Sequence, residues 1–87
     1  EVWTRPHLNH RERRLLVLAT MMGLGRWEEF RMHLRAALEG QMSLSDIKEV
    51  FLQQAIYCGV PIANTAHHHL EELMIELKEK GVAINAS

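Results

Sequence analysis

A histidine one turn after a glutamate is the pair of side chains in this sequence that is best placed to do chemistry. His33 follows Glu29 by four residues within "EEFRMHLRAALEG", residues 28–40, so the two side chains are neighbours on a helix. An imidazole titrates near ~6.5, and small shifts move its pKa across neutrality. A carboxylate beside it can orient the ring or raise that pKa. We predict that His33 is a proton donor with Glu29 as its partner; the alternative is an ordinary surface pair.

Three arginines and one tyrosine are the candidates for binding an anionic substrate. Arg5, Arg14 and Arg26 carry guanidinium groups, which match carboxylates with two parallel hydrogen bonds. Tyr57 and Gln54, near the end of a predicted helix, can each donate to an oxyanion. The alternatives are that the arginines are solvated or ion-paired, and that Tyr57 and Gln54 satisfy backbone or interface groups.

Three consecutive histidines, His67–His69, pose the question of a metal site. Successive side chains on a helix point about 100° apart, so the three cannot share one ion. His68 is expected to face away from the apolar side of its helix, with the other two flanking that side. No companion cysteine or carboxylate spacing completes a metal site, so we predict none. The histidines are instead expected at a subunit contact.

The helix that must position His33 is predicted from about residue 26 to residue 39. At about 100° per residue its apolar side chains fall in one stripe, and His33 lies about 90° to one side of that stripe. The stripe consists of Trp27, Phe30, Leu34, Ala37 and Leu38. This flank is neither core nor fully solvated, and we expect it to face a cleft or a partner subunit.

Capping and stop residues divide the chain into four predicted helices. The first begins after Asn9, which can form a capping box with Glu12, and it ends at Gly23 and Gly25. Ser43 caps the third, Gly59 follows it, Pro61 opens the fourth and Gly81 ends the fourth. The fold prediction is therefore an all-α, single-domain helical bundle over residues 1–80. Residues 81–87 are predicted to be a loose tail.

Length, charge and composition restrict the class of protein. With 87 residues the chain is one domain at most, and its 47% hydrophobic content predicts apolar surface buried against other subunits. The net charge of −1, with interleaved bases and acids, argues against a nucleic-acid or membrane-surface partner. No apolar run approaches the roughly 20 residues that span a bilayer.

The chain start and the cysteine content bear on the natural context. The sequence begins with Glu1 rather than Met, within what reads as structured sequence, so we expect a preceding part of the natural protein. Cys58 is the only cysteine, so the chain cannot form an internal disulfide. A core thiol and a reducing cytoplasm are the predictions for it.

Four stretches in order resemble the carboxymuconolactone decarboxylase family. They are "EVWTRPHL" (1–8), "HLRAAL" (33–38), "SDIKEV" (45–50) and "QAIYCGVPIAN" (54–64), and the likeness runs from residue 1 to about residue 77. The resemblance implies an all-helical subunit that assembles as a hexamer of three dimers, without metal or organic cofactor. It also implies a place in the protocatechuate branch of aromatic catabolism. A histidine at the position of His33 recurs in the family.

The related alkyl hydroperoxide reductase D-like branch carries a Cys-x-x-Cys-x-x-x-His motif on the equivalent helix. Arg26 and Glu29 stand where its two cysteines would be, while His33 is retained. Without the dithiol, the peroxidase chemistry of that branch lacks its nucleophile. The resemblance therefore favours a different use of the same scaffold.

The implied reaction converts 4-carboxymuconolactone, a small lactone with two carboxylates, to 3-oxoadipate enol-lactone. Loss of carbon dioxide leaves electrons that spread onto the conjugated lactone carbonyl, so no cofactor is needed as an electron sink. Cations would hold the retained carboxylate, donors would stabilise the oxyanion, and an acid, His33, would protonate carbon. The alternatives are a family relative with another small carbonyl substrate or a redox role, and a non-catalytic oligomeric binding protein.

Overall fold

The computed structural model describes all 87 residues, which form one turn of 3-10 helix and four α-helices. The 3-10 turn is Val2–Thr4, and the helices are α1 (His10–Leu24), α2 (Trp27–Glu39), α3 (Leu44–Cys58) and α4 (Val60–Glu79). No strand is present, so the predicted all-α fold is confirmed. None of the four helices combines the length and the apolar character that a membrane crossing requires.

All four helices contribute side chains to one apolar core. Phe30 of α2 and Phe51 of α3 meet at its centre, with ring centroids 5.9 Å apart. Each side chain of the predicted α2 stripe is fully buried except Trp27, which is half-buried at its edge. The helical period in the sequence thus located the buried face of α2 correctly.

Predicted caps fix both ends of α1, the helix that carries Arg14. The Asn9 side chain accepts a hydrogen bond from the Glu12 amide at 2.7 Å, and the Glu12 carboxylate accepts one from the Asn9 amide at 2.9 Å. Gly25 ends the helix in the left-handed conformation with φ +70°. This capping box and glycine stop confirm the predicted boundaries of α1.

The prediction that Gly23 also stops α1 is wrong, because this residue lies inside the helix. A Cβ at position 23 would lie 3.2 Å from the Cys58 sulfur. The glycine therefore permits a close approach between α1 and the end of α3. After Cys58, Gly59 alone separates α3 from α4, with φ +98°.

The C-terminal segment, residues 82–87, packs on the bundle, so the prediction of a loose tail is wrong. Val82 and Ile84 contact the apolar core. The Leu44 amide, at the start of α3, donates to the Asn85 carbonyl at 3.0 Å, and the Ser45 hydroxyl donates to the Ser87 carbonyl at 2.7 Å. These contacts place the segment beside the loop that joins α2 to α3.

Candidate active site

His33 lies where the 3-10 turn and the first two helices meet, in contact with Trp3 and Arg14. Arg14 Nη1 donates to His33 Nδ1 at 2.5 Å. The Trp3 ring stacks on the imidazole, with centroids 6.4 Å apart and planes 8° from parallel, and the Arg14 guanidinium carbon lies 4.8 Å from the Trp3 ring centroid. We call Trp3, Arg14 and His33 the Arg14 cluster.

The contact with Arg14 determines where His33 carries its proton. A guanidinium only donates, so Nδ1 of His33 is the acceptor and the ring proton is on Nε2. Burial, and after it the positive charge of Arg14, lowers the pKa of His33 below its ordinary 6.5. At neutral pH His33 is therefore a neutral imidazole that presents an Nε2–H donor.

Glu29 is not the partner of His33, which corrects the prediction from helical spacing. Its side chain is exposed, and no hydrogen bond joins it to the imidazole, whose Nδ1 accepts from Arg14. Of the two effects that Glu29 could have had, orienting the ring or raising the pKa of His33, the second is contradicted by the lowered pKa. The charged group nearest to the ring is the Arg14 cation, which disfavours a second positive charge.

Arg14, but neither Trp3 nor His33, lines a cleft of about 520 Å³ between the first turns of α1 and the α2–α3 loop. His10 and Arg11 lie along the same wall, one at the start of α1 and the other a residue later. Gln41 and Asn85 contribute to the rest of the lining. Asp46 also lines the cleft, and its carboxylate is paired with Arg11. The cleft thus has a basic wall on α1 and a polar wall, which we call the neutral wall because its one carboxylate is paired; such a lining suits a small anion with polar oxygens.

The two arginines of the basic wall differ in their partners. Arg11 forms an ion pair with Asp46 at 2.9 Å, so its charge is largely matched. Arg14 forms no ion pair with any carboxylate; its side-chain contacts are with His33 and Trp3. The guanidinium of Arg14 is therefore the cation of the cleft that remains available for a carboxylate of a ligand.

A second cluster repeats the geometry of the first between α2 and α4. Arg31 Nη1 donates to His69 Nδ1 at 3.1 Å, and the Trp27 ring stacks on His69 with centroids 5.2 Å apart. In this Arg31 cluster, however, the guanidinium is paired with Glu72 at 2.7 Å and with Glu76 at 3.6 Å. Internal carboxylates occupy here the place that a ligand would take at Arg14.

The remaining predicted binding residues lie outside the cleft. Arg5 and Arg26 are exposed, Arg5 directly after the 3-10 turn and Arg26 directly before α2. Tyr57 is 74% exposed at the end of α3. Gln54 donates to the Ala19 carbonyl at 3.3 Å. It therefore satisfies a backbone group, which was the alternative to an oxyanion donor.

Of the predicted residues, then, the structure brings together His33 and Arg14 and leaves the others apart. Sequence reasoning missed Trp3 and His10. His10 precedes Arg14 by four residues, and this spacing was a usable signal because both side chains then share one face of α1. No spacing in the sequence links Trp3 to His33. The two rings are far apart in sequence and meet only because α2 packs against α1.

The three consecutive histidines have three different surroundings. His68 is exposed, His67 packs edge-on against Phe51 with centroids 4.9 Å apart, and His69 belongs to the Arg31 cluster. No group of three histidine, cysteine or acidic side chains is arranged to hold a metal ion. Cys58 is half-buried rather than fully within the core.

The chain is a small helical bundle with a cleft lined by arginines, and comparison with known proteins gives its family. The model of the carboxymuconolactone decarboxylase family matches residues 1–72. The chain belongs to this family, and the resemblance seen in the four stretches of sequence is confirmed.

Two curated relatives carry decarboxylase names. The 4-carboxymuconolactone decarboxylase of Acinetobacter baylyi is 40% identical over 83 residues, which are 95% of this chain and 60% of that protein. The nitrosuccinic acid decarboxylase of Metarhizium robertsii is 32% identical over 80 residues, which are 92% of this chain and 56% of that protein. The chain thus spans less than two thirds of either relative. No solved structure gave a significant match.

Proposed function

We propose that this chain provides the active site of a cofactor-free decarboxylase for small polycarboxylates, with 4-carboxymuconolactone as the first candidate substrate. The observation that carries the proposal is the Arg14 guanidinium, which has no carboxylate partner and lies against a neutral His33 at a basic cleft. The 40% identical relative that bears this substrate in its name supports the choice. A place in the protocatechuate branch of aromatic catabolism follows from that substrate.

The reaction breaks one carbon–carbon bond and consumes one proton. As carbon dioxide leaves, the electron pair of the broken bond moves through the conjugated double bond onto the lactone carbonyl oxygen. The resulting dienolate then takes a proton on carbon, which gives the enol-lactone. The site must therefore hold the retained carboxylate, stabilise one oxyanion and deliver one proton.

Arg14 and His33 are matched to the first two of these tasks. The guanidinium binds the retained carboxylate through charge-assisted hydrogen bonds. His33 does not itself line the cleft but lies beside it, in contact with Arg14. Its Nε2–H forms no hydrogen bond within the chain, since only Nδ1 is engaged, and we assign it as the donor to the developing oxyanion. A neutral imidazole serves this purpose well because it does not compete for the substrate's carboxylate as a second cation. One such donor contributes roughly 3–4 kcal/mol.

His10 is the group we assign to the third task, protonation of carbon. It lines the cleft beside Arg14 and packs edge-on against Trp3, with centroids 5.9 Å apart. An imidazole is the side chain most suited to proton transfer near neutral pH. The sequence alone pointed to His33 for this step, but the lowered pKa of His33 leaves it without a second proton to give.

A second candidate substrate is nitrosuccinic acid, because a 32% identical relative carries it in its name. Its nitro group can accept the electron pair that decarboxylation leaves on the neighbouring carbon. The same three tasks would apply, with the nitro oxygens in the place of the lactone carbonyl.

We also propose that the protein is a homo-oligomer, a trimer of dimers. Large apolar side chains near the α3–α4 junction remain exposed, among them Ile56, Tyr57 and Val60 at 61–74%. Light scattering after gel filtration tests this directly. A mass near six times the 10.1 kDa chain is expected, and a mass of one chain would exclude the assembly.

The decisive experiment incubates the protein separately with 4-carboxymuconolactone and with nitrosuccinic acid and measures carbon dioxide release. Turnover of the lactone without added metal or cofactor, abolished or strongly reduced by Arg14→Ala, is the expected result. Turnover of nitrosuccinate alone would select the second substrate. Absence of turnover with both would reject the enzymatic role in favour of a binding protein.

A further inference from the structure

We propose that Asn85 of the C-terminal segment, together with Gln41 of the α2–α3 loop, determines which substrates the cleft accepts. The inference rests on the proposed function, because it assigns the neutral wall of the same cleft. The ligand class is a small anion with a carboxylate at one end and an uncharged acceptor oxygen, such as a carbonyl or nitro oxygen, at the other.

The first observation is the conformation of Gln41. It is the only residue other than glycine with a positive φ, +67°, a conformation that a side chain makes unfavourable. Such conformations persist where the surrounding structure holds them, and they concentrate at functional sites. Gln41 lines the cleft, so the unfavourable conformation lies at the proposed site.

The second observation is what holds Gln41. The side-chain nitrogen of Gln41 donates to the Ala83 carbonyl at 2.7 Å. The backbone carbonyl of Gln41 accepts from the Asn85 side-chain nitrogen at 3.1 Å. The Leu44 amide, just after the α2–α3 loop, donates to the Asn85 carbonyl. Both ends of this short loop therefore bond to the C-terminal segment, in addition to the backbone hydrogen bonds that Gln41 and Met42 donate to the end of α2.

The third observation is the hydrogen-bonding capacity that remains. A carboxamide nitrogen has two hydrogens, and within the chain Gln41 and Asn85 each use one of them. One N–H of each side chain is left, and both residues line the cleft that Arg14 enters. Two neutral donors in the same cleft as a guanidinium without a carboxylate partner favour a ligand that carries both an uncharged acceptor oxygen and a carboxylate.

The basic wall and Asn85 differ in whether the family model covers them. The family model matches residues 1–72, so the C-terminal segment lies beyond the matched region. The basic wall belongs to the matched part, whereas Asn85, on the neutral wall, does not. Selectivity between family substrates can therefore differ through this segment while the carboxylate-binding wall stays the same.

A titration that needs no turnover tests the contact. Side-chain amide resonances of Gln41 and Asn85 are followed by NMR as 4-oxopentanoate is added, and again with pentanoate, which lacks the carbonyl oxygen. We expect 4-oxopentanoate to shift both resonances more than pentanoate does, with the exposed Asn64 amide unmoved in either case. Equal effects of the two acids, or none, at Gln41 and Asn85 would overturn the proposal.

Variants test its consequence for catalysis. Asn85→Ala and Gln41→Gly are each expected to raise KM for the turned-over substrate about fivefold to tenfold, the worth of one hydrogen bond, with a smaller change in kcat. Glycine adopts a positive φ freely, so Gln41→Gly folds even if Asn85→Ala does not. Asn64→Ala, at an exposed position of α4, is the matched control.

The outcomes separate this inference from the proposed function. If the unaltered protein turns over a substrate and neither variant changes KM, the neutral wall does not select substrates and the inference is wrong. If the unaltered protein turns over nothing, the proposed function fails, while the NMR comparison of the two acids still decides whether Gln41 and Asn85 contact a ligand.

Discussion

The guanidinium of Arg14 reaches the imidazole of His33 across 19 positions of sequence, with Nη1 2.5 Å from Nδ1. Arg31 makes the same contact with His69. The two contacts differ in charge balance, because Arg31 is paired with carboxylates and Arg14 is not. The Arg31 cluster therefore provides, within one molecule, a matched control for each substitution in the Arg14 cluster.

His33→Ala removes the donor that we assign to the oxyanion. Loss of a single such donor lowers kcat by about 10²–10³-fold, and we expect a decrease of this size in carbon dioxide release. Because His33 does not hold the substrate carboxylate in this scheme, KM should change much less than kcat. Steady-state kinetics with 4-carboxymuconolactone measures both.

His69→Ala is the control for this substitution. It removes an equally half-buried histidine stacked on a tryptophan, but one without a free cation beside it. Activity should stay close to that of the unaltered protein. Equal losses in the two variants would mean that His33 supports the fold rather than the reaction.

Arg14→Ala is expected to raise the pKa of His33 towards its ordinary value of 6.5. Burial and the Arg14 charge both lower this pKa, and removal of the side chain reduces both. An NMR titration of the imidazole resonances measures the change. Arg31→Ala should leave the pKa of His33 where it is, and no rise after Arg14→Ala would show that the Arg14 charge does not act on the ring.

Much of the fold could be predicted from the sequence because its determinants are local. The apolar stripe of α2 could be predicted because apolar residues on the core-facing side of any helix recur with the period of the helix. The box formed by Asn9 and Glu12 is a contact over three residues. The errors arose where distant segments meet: Gly23 is required by the approach of α3, and the C-terminal segment is held by the α2–α3 loop.

The candidate site was predictable only in part, for the same reason. Spacing within one helix identified His33 as a side chain at the edge of the core, and it suggested Glu29 as the neighbour. Whether a neighbour in sequence or a distant side chain contacts the ring depends on how α1 packs against α2. That packing buried part of the ring and brought Arg14 to it, and both effects lower the pKa of His33.

The stability of the protein should decrease as the pH falls from 7 towards 5. His33 and His69 both have pKa values below 6.5 in the folded state, so between those values and 6.5 the unfolded chain binds protons that the folded chain does not. The free energy of unfolding therefore falls as the pH drops through this window. Melting temperatures measured at intervals of half a pH unit should show the decrease.

The carboxylates of Glu72 and Glu76 affect stability at lower pH than the two histidines do, so the two effects can be distinguished. Hydrogen bonds from arginines lower the pKa values of Glu72 and Glu76 below 4.5, so their stabilising effect is lost only in more acidic solution. The double variant His33→Gln, His69→Gln should flatten the curve between pH 7 and 5 and change the acidic part less, because the hydrogen bond and charge of Arg31 lower the pKa of Glu72 more than His69 does. If the double variant loses stability between pH 7 and 5 as the unaltered protein does, these histidines do not cause that loss.

Asn9→Ala should destabilise the protein by about 1 kcal/mol, because it leaves the Glu12 amide without its cap at the start of α1. Urea denaturation measures the free energy of unfolding. Asn64→Ala, within α4 and exposed, is the control and should be neutral or slightly stabilising, since alanine is the better helix former. Because α1 carries Arg14, the loss of the cap should also weaken substrate binding near the melting temperature. Equal free energies for the two variants would show that the Asn9 cap does not contribute to stability.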